Sequence, residues 1–276
     1  MSSEQVKARQ RLAWGLDVEA YVRHTAPELA PLAEQLVEVA DPAWGAAALD
    51  VGCGPGTATF PLARRVGPGG SVMGVDLTAP MIAWAERAAS KDGVTNARFA
   101  VADAEDLGEL PDGSFDVVIS NFGVIFAPEP ARMVAEVARV LKPGGTFAFT
   151  VWLPIGIVPE LWALTATISP PPPEGVSTPD EWGQDGIPEQ RLAPFFDDFT
   201  RTPVEAPCEY ASVDLAWQRM KEGRPPFMLA YGRLPMEQKA EVEARARALY
   251  RKYQQADGHV RFVREAAILR GVKRGT

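Results

Sequence analysis

The sequence predicts an α/β protein built on a doubly wound, mostly parallel sheet, with N-terminal helices and an inserted lid. Three observations carry that expectation. Residues 46–152 alternate short apolar runs with amphipathic stretches, the mark of parallel βαβ units. Those apolar runs are continuous rather than alternating, as strands buried on both faces require. The first run, Ala46–Asp50, ends in an acid and enters a loop with glycine at every second place, Gly52, Gly54 and Gly56, ahead of a helix-compatible segment.

In chain order, residues 1–45 read as a helical cover. Leu29, Leu32, Leu36 and Val37 share one face at helical spacing, Pro27 suits a first turn, and an aromatic-bearing segment, Trp14 to His24, precedes them. The cofactor-binding core is expected over 46–152. Its first helix, Thr57–Val66, is closed by Gly67-Pro68-Gly69-Gly70, and Ser71–Asp76 is the second strand. Thr78 and Pro80 start the next helix, which turns Met81, Ile82 and Ala85 inward. Arg98–Val101 and Ser114–Ser120 are strands three and four. Pro130–Leu141 is a helix stopped by Lys142-Pro143-Gly144-Gly145, and Thr146–Trp152 is strand five.

Beyond Trp152 the alternation breaks. Residues 153–235 carry the prolines 170–173 and scattered tryptophans, too apolar for a linker, and read as a substrate lid. Residues 236–276 return to a helix, over 236–255, and a last strand that completes the core. Arg270, Lys273 and Arg274 read as a solvated basic tail.

Composition limits the function. Lys plus Arg total 28 against 36 Asp plus Glu, a net charge of -8, which argues against a nucleic-acid partner. Two cysteines, Cys53 and Cys208, do not make a disulfide scaffold, and no apolar run spans a bilayer, so a soluble cytoplasmic protein with no membrane partner is expected. Two histidines and two cysteines without ligand spacing predict no metal site.

The chemistry is expected along the carboxyl edge of the sheet. In Gly52-Cys53-Gly54 the glycines let the backbone turn and meet a ligand closely, and the following helix offers free N–H groups. Asp50, just ahead of the loop, would repel a pyrophosphate and welcome a cofactor carrying ammonium and sulfonium charge. Asp76 ends strand two, where a carboxylate can accept from ribose hydroxyls. Asp103, followed by Ala104, can accept from an adenine amino group, although Glu105 and Asp106 stand close by. Asn121 ends strand four and can offer its carbonyl or side chain to the cofactor or reacting group, while Phe122 and Phe126 can wall a sulfonium.

These residues sit in stretches that resemble the class I S-adenosylmethionine-dependent methyltransferases, in the group related to the ubiquinone/menaquinone enzymes. The matching stretches are LDVGCGPGT at 49–57, VMGVDLTAPMI at 72–82, FAVADAEDLGELPDGSFDVVISNFGVIF at 99–126 and EVARVLKPGGTFAFTVW at 136–152. The resemblance implies a Rossmann-like sheet of seven strands whose last, about 257–273, is antiparallel, and S-adenosylmethionine as cofactor. It implies Asp50 near the methionine amino group, the loop glycines along the methionyl part, and Asp76 on the ribose. Leu77 and Met81 would pack on the adenine, with Asp103 and Ala104 at its edge.

The implied reaction is in-line methyl transfer, which asks the protein mainly to align nucleophile, carbon and sulfur. If the nucleophile must lose a proton, His24 and Tyr21 are the candidate bases, and Tyr21 could equally touch the cofactor carboxylate. In the lid, Trp162, Phe195, Phe196, Trp217 and Phe227 suggest a small apolar or aromatic acceptor. No Asn-Pro-Pro-Tyr-like motif follows strand four, which argues against methylation of nucleic-acid bases. Two alternatives stay open: a family member that binds the cofactor without methylating, and a dinucleotide-dependent oxidoreductase. Asp50 and the lack of a second βαβαβ half count against the latter.

Overall fold

A computed structural model describes residues 2–275. Three helices come first: α1 (Ser3–Trp14), α2 (Val18–His24) and α3 (Ala26–Ala40). Ser2 and Gln5 form a reciprocal capping box on α1, and Asp17 caps α2 by accepting the Ala20 N–H. α3 buries the stripe of Leu29, Leu32, Leu36 and Val37 against the sheet.

The central run follows the expected alternation: β1 (Ala47–Val51), α4 (Thr59–Val66), β2 (Ser71–Asp76), α5 (Ala79–Asp92), β3 (Ala97–Val101), β4 (Phe115–Asn121), α6 (Pro130–Val140) and β5 (Leu141–Trp152). Then come α7 (Val158–Ala166), α8 (Ile187–Leu192), β6 (Phe196–Tyr210), α9 (Val213–Gly223), α10 (Pro225–Gly232), α11 (Met236–Arg251) and β7 (Val260–Lys273). The seven strands form one sheet in the order β3-β2-β1-β4-β5-β7-β6, with β7 antiparallel to both neighbours. The order reverses between β1 and β4, and a sheet wound this way opens a crevice beyond the carboxyl ends of those two strands.

Several expectations are corrected. The segment 153–235 is not all lid, because Phe196–Tyr210 forms the edge strand β6. Pro203 and Pro207 hid that strand, yet an edge strand tolerates proline because one row of its N–H groups faces no partner. Lys142–Gly145 is a bulge between β4 and β5 rather than a clean stop, since Phe115 pairs with Leu141 while Val117 pairs with Thr146. The basic end is not a loose tail: Arg270 and Lys273 belong to β7, Lys273 donates to the Leu141 carbonyl, and Arg274 pairs with Asp197.

β6 and β7 outreach the other strands, and their far ends carry a second core. Tyr210, Phe262 and Val260 pack there with Trp217, Phe227, Leu249 and Tyr250. Thus α11 joins α7, α9 and α10 in that second core rather than the one around β1–β5. The molecule offers two apolar masses with a gap between them.

The loops after β1 and β4 meet backbone to backbone at the reversal point. A Cβ on Gly123 would stand 2.7 Å from the Gly52 Cα and 2.7 Å from the Val51 carbonyl oxygen. Gly123→Ala should therefore lower stability by about 1–3 kcal/mol, the usual cost of overpacking. Urea denaturation at unchanged slope checks it.

Candidate active site

The crevice holds a cavity of about 790 Å³, toward the upper end of the roughly 300–1,000 Å³ of ligand pockets. Its floor is the carboxyl edge of β1, β2 and β4, with the loop after β3. Gly52 stands at φ +69° and Gly54 at φ +54°, a region open to glycine at little cost, and both line the cavity. The Gly52 and Cys53 N–H groups donate to the Val75 carbonyl at 2.8 and 2.9 Å, tying the loop to β2. Ser120, fully buried, donates to the Val51 carbonyl at 2.6 Å and accepts the Val124 N–H at 3.0 Å, so one hydroxyl clamps β4 to β1.

Asp76 reaches back across that floor. One oxygen accepts the Gly54 N–H at 2.9 Å; the other accepts the Thr78 N–H at 2.9 Å and hydroxyl at 2.7 Å. Burial pushes its carboxyl above the ordinary range, and these three hydrogen bonds oppose the push. Leu77, Met81, Ala104 and Asn121 line the cavity with it, and the Asn121 Oδ1 is buried without a partner.

Asp50 and Cys53 do not reach the cavity wall. Asp50 is fully buried beneath the loop, where one oxygen accepts the Thr59 hydroxyl at 2.6 Å and the other has no partner. Burial pushes its pKa up to about 7; the Thr59 bond lowers it and the Asp76 charge adds to the rise. Cys53 turns toward β2, where its sulfur packs on Gly74.

Asp103 lines the cavity but is already engaged. It accepts the Glu105 N–H at 2.9 Å and an Nζ–H of Lys7 at 2.7 Å, and Lys7 also stands 2.6 Å from the buried Glu105 carboxylate. Nothing in the sequence linked Lys7 to Asp103. The ion cluster fastens α1 over the cavity, helped by Gln10, whose amide donates to the Phe126 carbonyl at 2.7 Å.

The N-terminal cover also supplies aromatic wall. Trp14 meets Phe126 edge-on at 5.1 Å and Tyr21 at 6.0 Å. Burial first, and the Asp76 charge second, push the Tyr21 phenol up. Phe122 stacks on Trp152 at 4.1 Å and holds φ +64°, an uncommon conformation for a residue with a Cβ. In the sequence Trp14 and Trp152 mark only segment ends, with no place in the site.

His24 lines the cavity with Nε2 3.3 Å from an Arg219 Nη and 3.8 Å from Glu222. Because arginine can only donate, the contact assigns the Nε2 lone pair to Arg219 and the ring proton to Nδ1, which is buried without a partner. In this arrangement His24 has no spare lone pair.

Of the lid aromatics, Trp162 and Phe227 line the cavity. Trp217 lies in the second core and Phe196 in the first, while Phe195 sits on the surface. Among the described residues no cluster of three or more His, Cys, Asp or Glu side chains could hold a metal, and no helix is long and apolar enough to cross a membrane.

A doubly wound sheet with acids and a glycine loop at its reversal point is the architecture of nucleoside-cofactor binding. Comparison with known proteins gives the family. Residues 49–149 match the methyltransferase domain family. Over 150 residues the chain is 35% identical to the aklanonic acid methyltransferase DauC of Streptomyces sp. (strain C5), covering 54% of this chain and 68% of that one. It is 38% identical over 134 residues to the nocamycin O-methyltransferase of Saccharothrix syringae, covering 49% of this chain and 47% of that one. The YcgJ protein of Bacillus subtilis superposes with a TM-score of 0.62 at 20% identity, covering 89% of this chain and all of that one. The chain belongs to the class I S-adenosylmethionine-dependent methyltransferases, and S-adenosylmethionine is its cofactor.

Two predictions follow from the buried ions. Burial holds Asp50 protonated in the fold up to about pH 7, whereas an unfolded aspartate ionises near 3.8. Its contribution to stability is therefore full below about pH 4 and is lost as pH rises toward about 7, at up to roughly 1.4 kcal/mol per unit. Wild type minus Asp50→Asn, measured by urea unfolding from pH 5 to 8, should show that slope and level off above about pH 7. Removal of one partner of a buried ion cluster leaves the others unpaired. Lys7→Ala should thus release α1, read as faster tryptic cleavage at Arg9 and Arg11 with the rest of the chain resistant.

Proposed function

We propose that the chain transfers the methyl group of S-adenosylmethionine to a small apolar or aromatic molecule held under the lid. One observation carries this reading: a single cavity runs from Asp76 and Asp103 at the sheet edge to Trp162 and Phe227 in the cover. A nucleoside end and an acceptor end are thus continuous. The two named relatives, whose names refer to aklanonic acid and nocamycin, support a small-molecule acceptor. The net charge of -8 speaks against nucleic acid.

In this reading Gly52 and Gly54 lie along the methionyl part, with Asp50 acting on its ammonium through the loop from below. Asp76 receives the ribose hydroxyls with the lone pairs left beside its three bonds. Leu77 and Met81 pack on the adenine, and Asp103 with Ala104 meets its edge. Asn121 turns its unpaired oxygen to the sulfonium end, and Tyr21 meets the carboxylate. The cover over residues 1–45 and the lid within 153–235 exclude water, which keeps the in-line geometry and protects the sulfonium. His24 serves as base only for a nucleophile that must lose a proton, after its Nε2 is freed from Arg219.

Calorimetric titration with S-adenosylmethionine tests the cofactor half. Asp76→Ala should weaken binding by about tenfold or more, as the loss of charged hydrogen bonds implies. His24→Ala should leave binding within about twofold. Normal binding by a folded Asp76→Ala protein would remove the ribose assignment.

A further inference from the structure

We propose that the acceptor carries an anionic group, a carboxylate or a phosphate, which Arg224 and Arg264 receive at the lid end of the cavity. The inference rests on the functional reading above and deepens it.

Both guanidiniums line the cavity. Arg264, in β7, is 4% exposed at its side chain and lies over the Trp152 ring, 5.0 Å from its centre. One of its terminal nitrogens donates to Glu28 at 3.0 Å, while its Nε is buried without a partner. Its other terminal nitrogen makes no hydrogen bond to a protein oxygen or nitrogen among the described residues, and the Cys208 thiol lies beside the guanidinium. Arg224 sits between α9 and α10 among Tyr210, Tyr250 and Glu28. Among the described residues it has neither a hydrogen-bond acceptor nor a carboxylate within 4 Å.

Glu28 is the carboxylate that meets Arg264, and it is shared. Its second oxygen already accepts the Tyr210 hydroxyl at 2.8 Å. Arginine cannot shed its proton to escape burial, so two guanidiniums facing one carboxylate leave a cationic, donor-rich spot. Arg224, half-buried at the cavity wall, has donors free and Arg264 has an unpartnered buried Nε, and an oxyanion with its several lone pairs is the partner that suits both. The wall around the spot is apolar: Trp152, Trp162, Pro225, Pro226 and Phe227. The chemistry that fits is an apolar body bearing a carboxylate or phosphate. The site for it was invisible in the sequence because Glu28, Arg224 and Arg264 come from three distant elements.

The test uses the full chain saturated with S-adenosylhomocysteine and three probes of one shape: 2-naphthoic acid, 2-naphthyl phosphate and neutral 2-naphthamide. Their affinities are read from tryptophan fluorescence. At least one anionic probe should bind about tenfold tighter than the amide, and which one does so identifies the group. Arg224→Met should abolish that preference while S-adenosylhomocysteine affinity stays unchanged, and Arg224→Lys should restore part of it. Arg264→Lys, which keeps a cation over Trp152, should reduce the preference without unfolding the protein. Equal binding of all three probes, no binding of either anion, or an unchanged preference in Arg224→Met would overturn the proposal. If wild type failed to bind S-adenosylhomocysteine, the functional reading beneath it would fall instead.

Discussion

The site depends on one close approach, the contact between the loops that leave β1 and β4. Each peptide there fits because Gly52 and Gly123 present no side chain to the other. The Ser120 hydroxyl then locks the two strand ends together from within the core. With that junction closed, the glycine loop has one course open to it. Asp76 fixes that course by accepting the Gly54 N–H from the neighbouring strand. A ligand resting here therefore meets a floor of backbone held from three sides, and little ordering is left to be done on binding.

Charge under the floor adds a second constraint. Asp76 is close enough to raise the cost of ionising Asp50, and burial pushes the Asp50 pKa up to about 7. A cofactor that brings ammonium and sulfonium charge relieves that cost; a pyrophosphate would increase it. The same acid that argued against a dinucleotide in the sequence thus argues against it in three dimensions, from beneath the loop and not from the cavity wall.

The sheet from β1 to β5 was legible because its signals are local: continuous apolar runs, glycine stops, and acids at strand ends. Asp76, Leu77, Met81, Asp103 and Asn121 reached the cavity for the same reason, since a strand's carboxyl end is fixed once the strand is known. Long-range features were not legible. Lys7 meets Asp103 only after α1 has folded over the sheet, and Arg264 meets Glu28 only after α3 has packed against β7. β6 was read as lid because its prolines look like breakers when the strand's edge position is unknown. The lid aromatics divided for a related reason: apolar side chains in an irregular segment serve a cavity wall or a core equally well by composition. Packing alone sent Trp162 to the wall, Trp217 and Phe196 to the cores, and Phe227 to both.

In the reading proposed above the two ends of the cavity differ in charge, and methyl transfer changes only one of them. Asp76 lines the cofactor end with Asp50 buried beneath it, the Asp103 charge there is met by Lys7, and Arg224 and Arg264 line the other end. Before transfer the sulfonium gives the acidic end its complement. When the carbon–sulfur bond breaks, sulfur keeps the electron pair and the positive charge leaves it with the methyl group. The spent cofactor then presents a neutral thioether to acids that had been held against a cation. In the proposed reading this loss of electrostatic complement requires no movement of the protein.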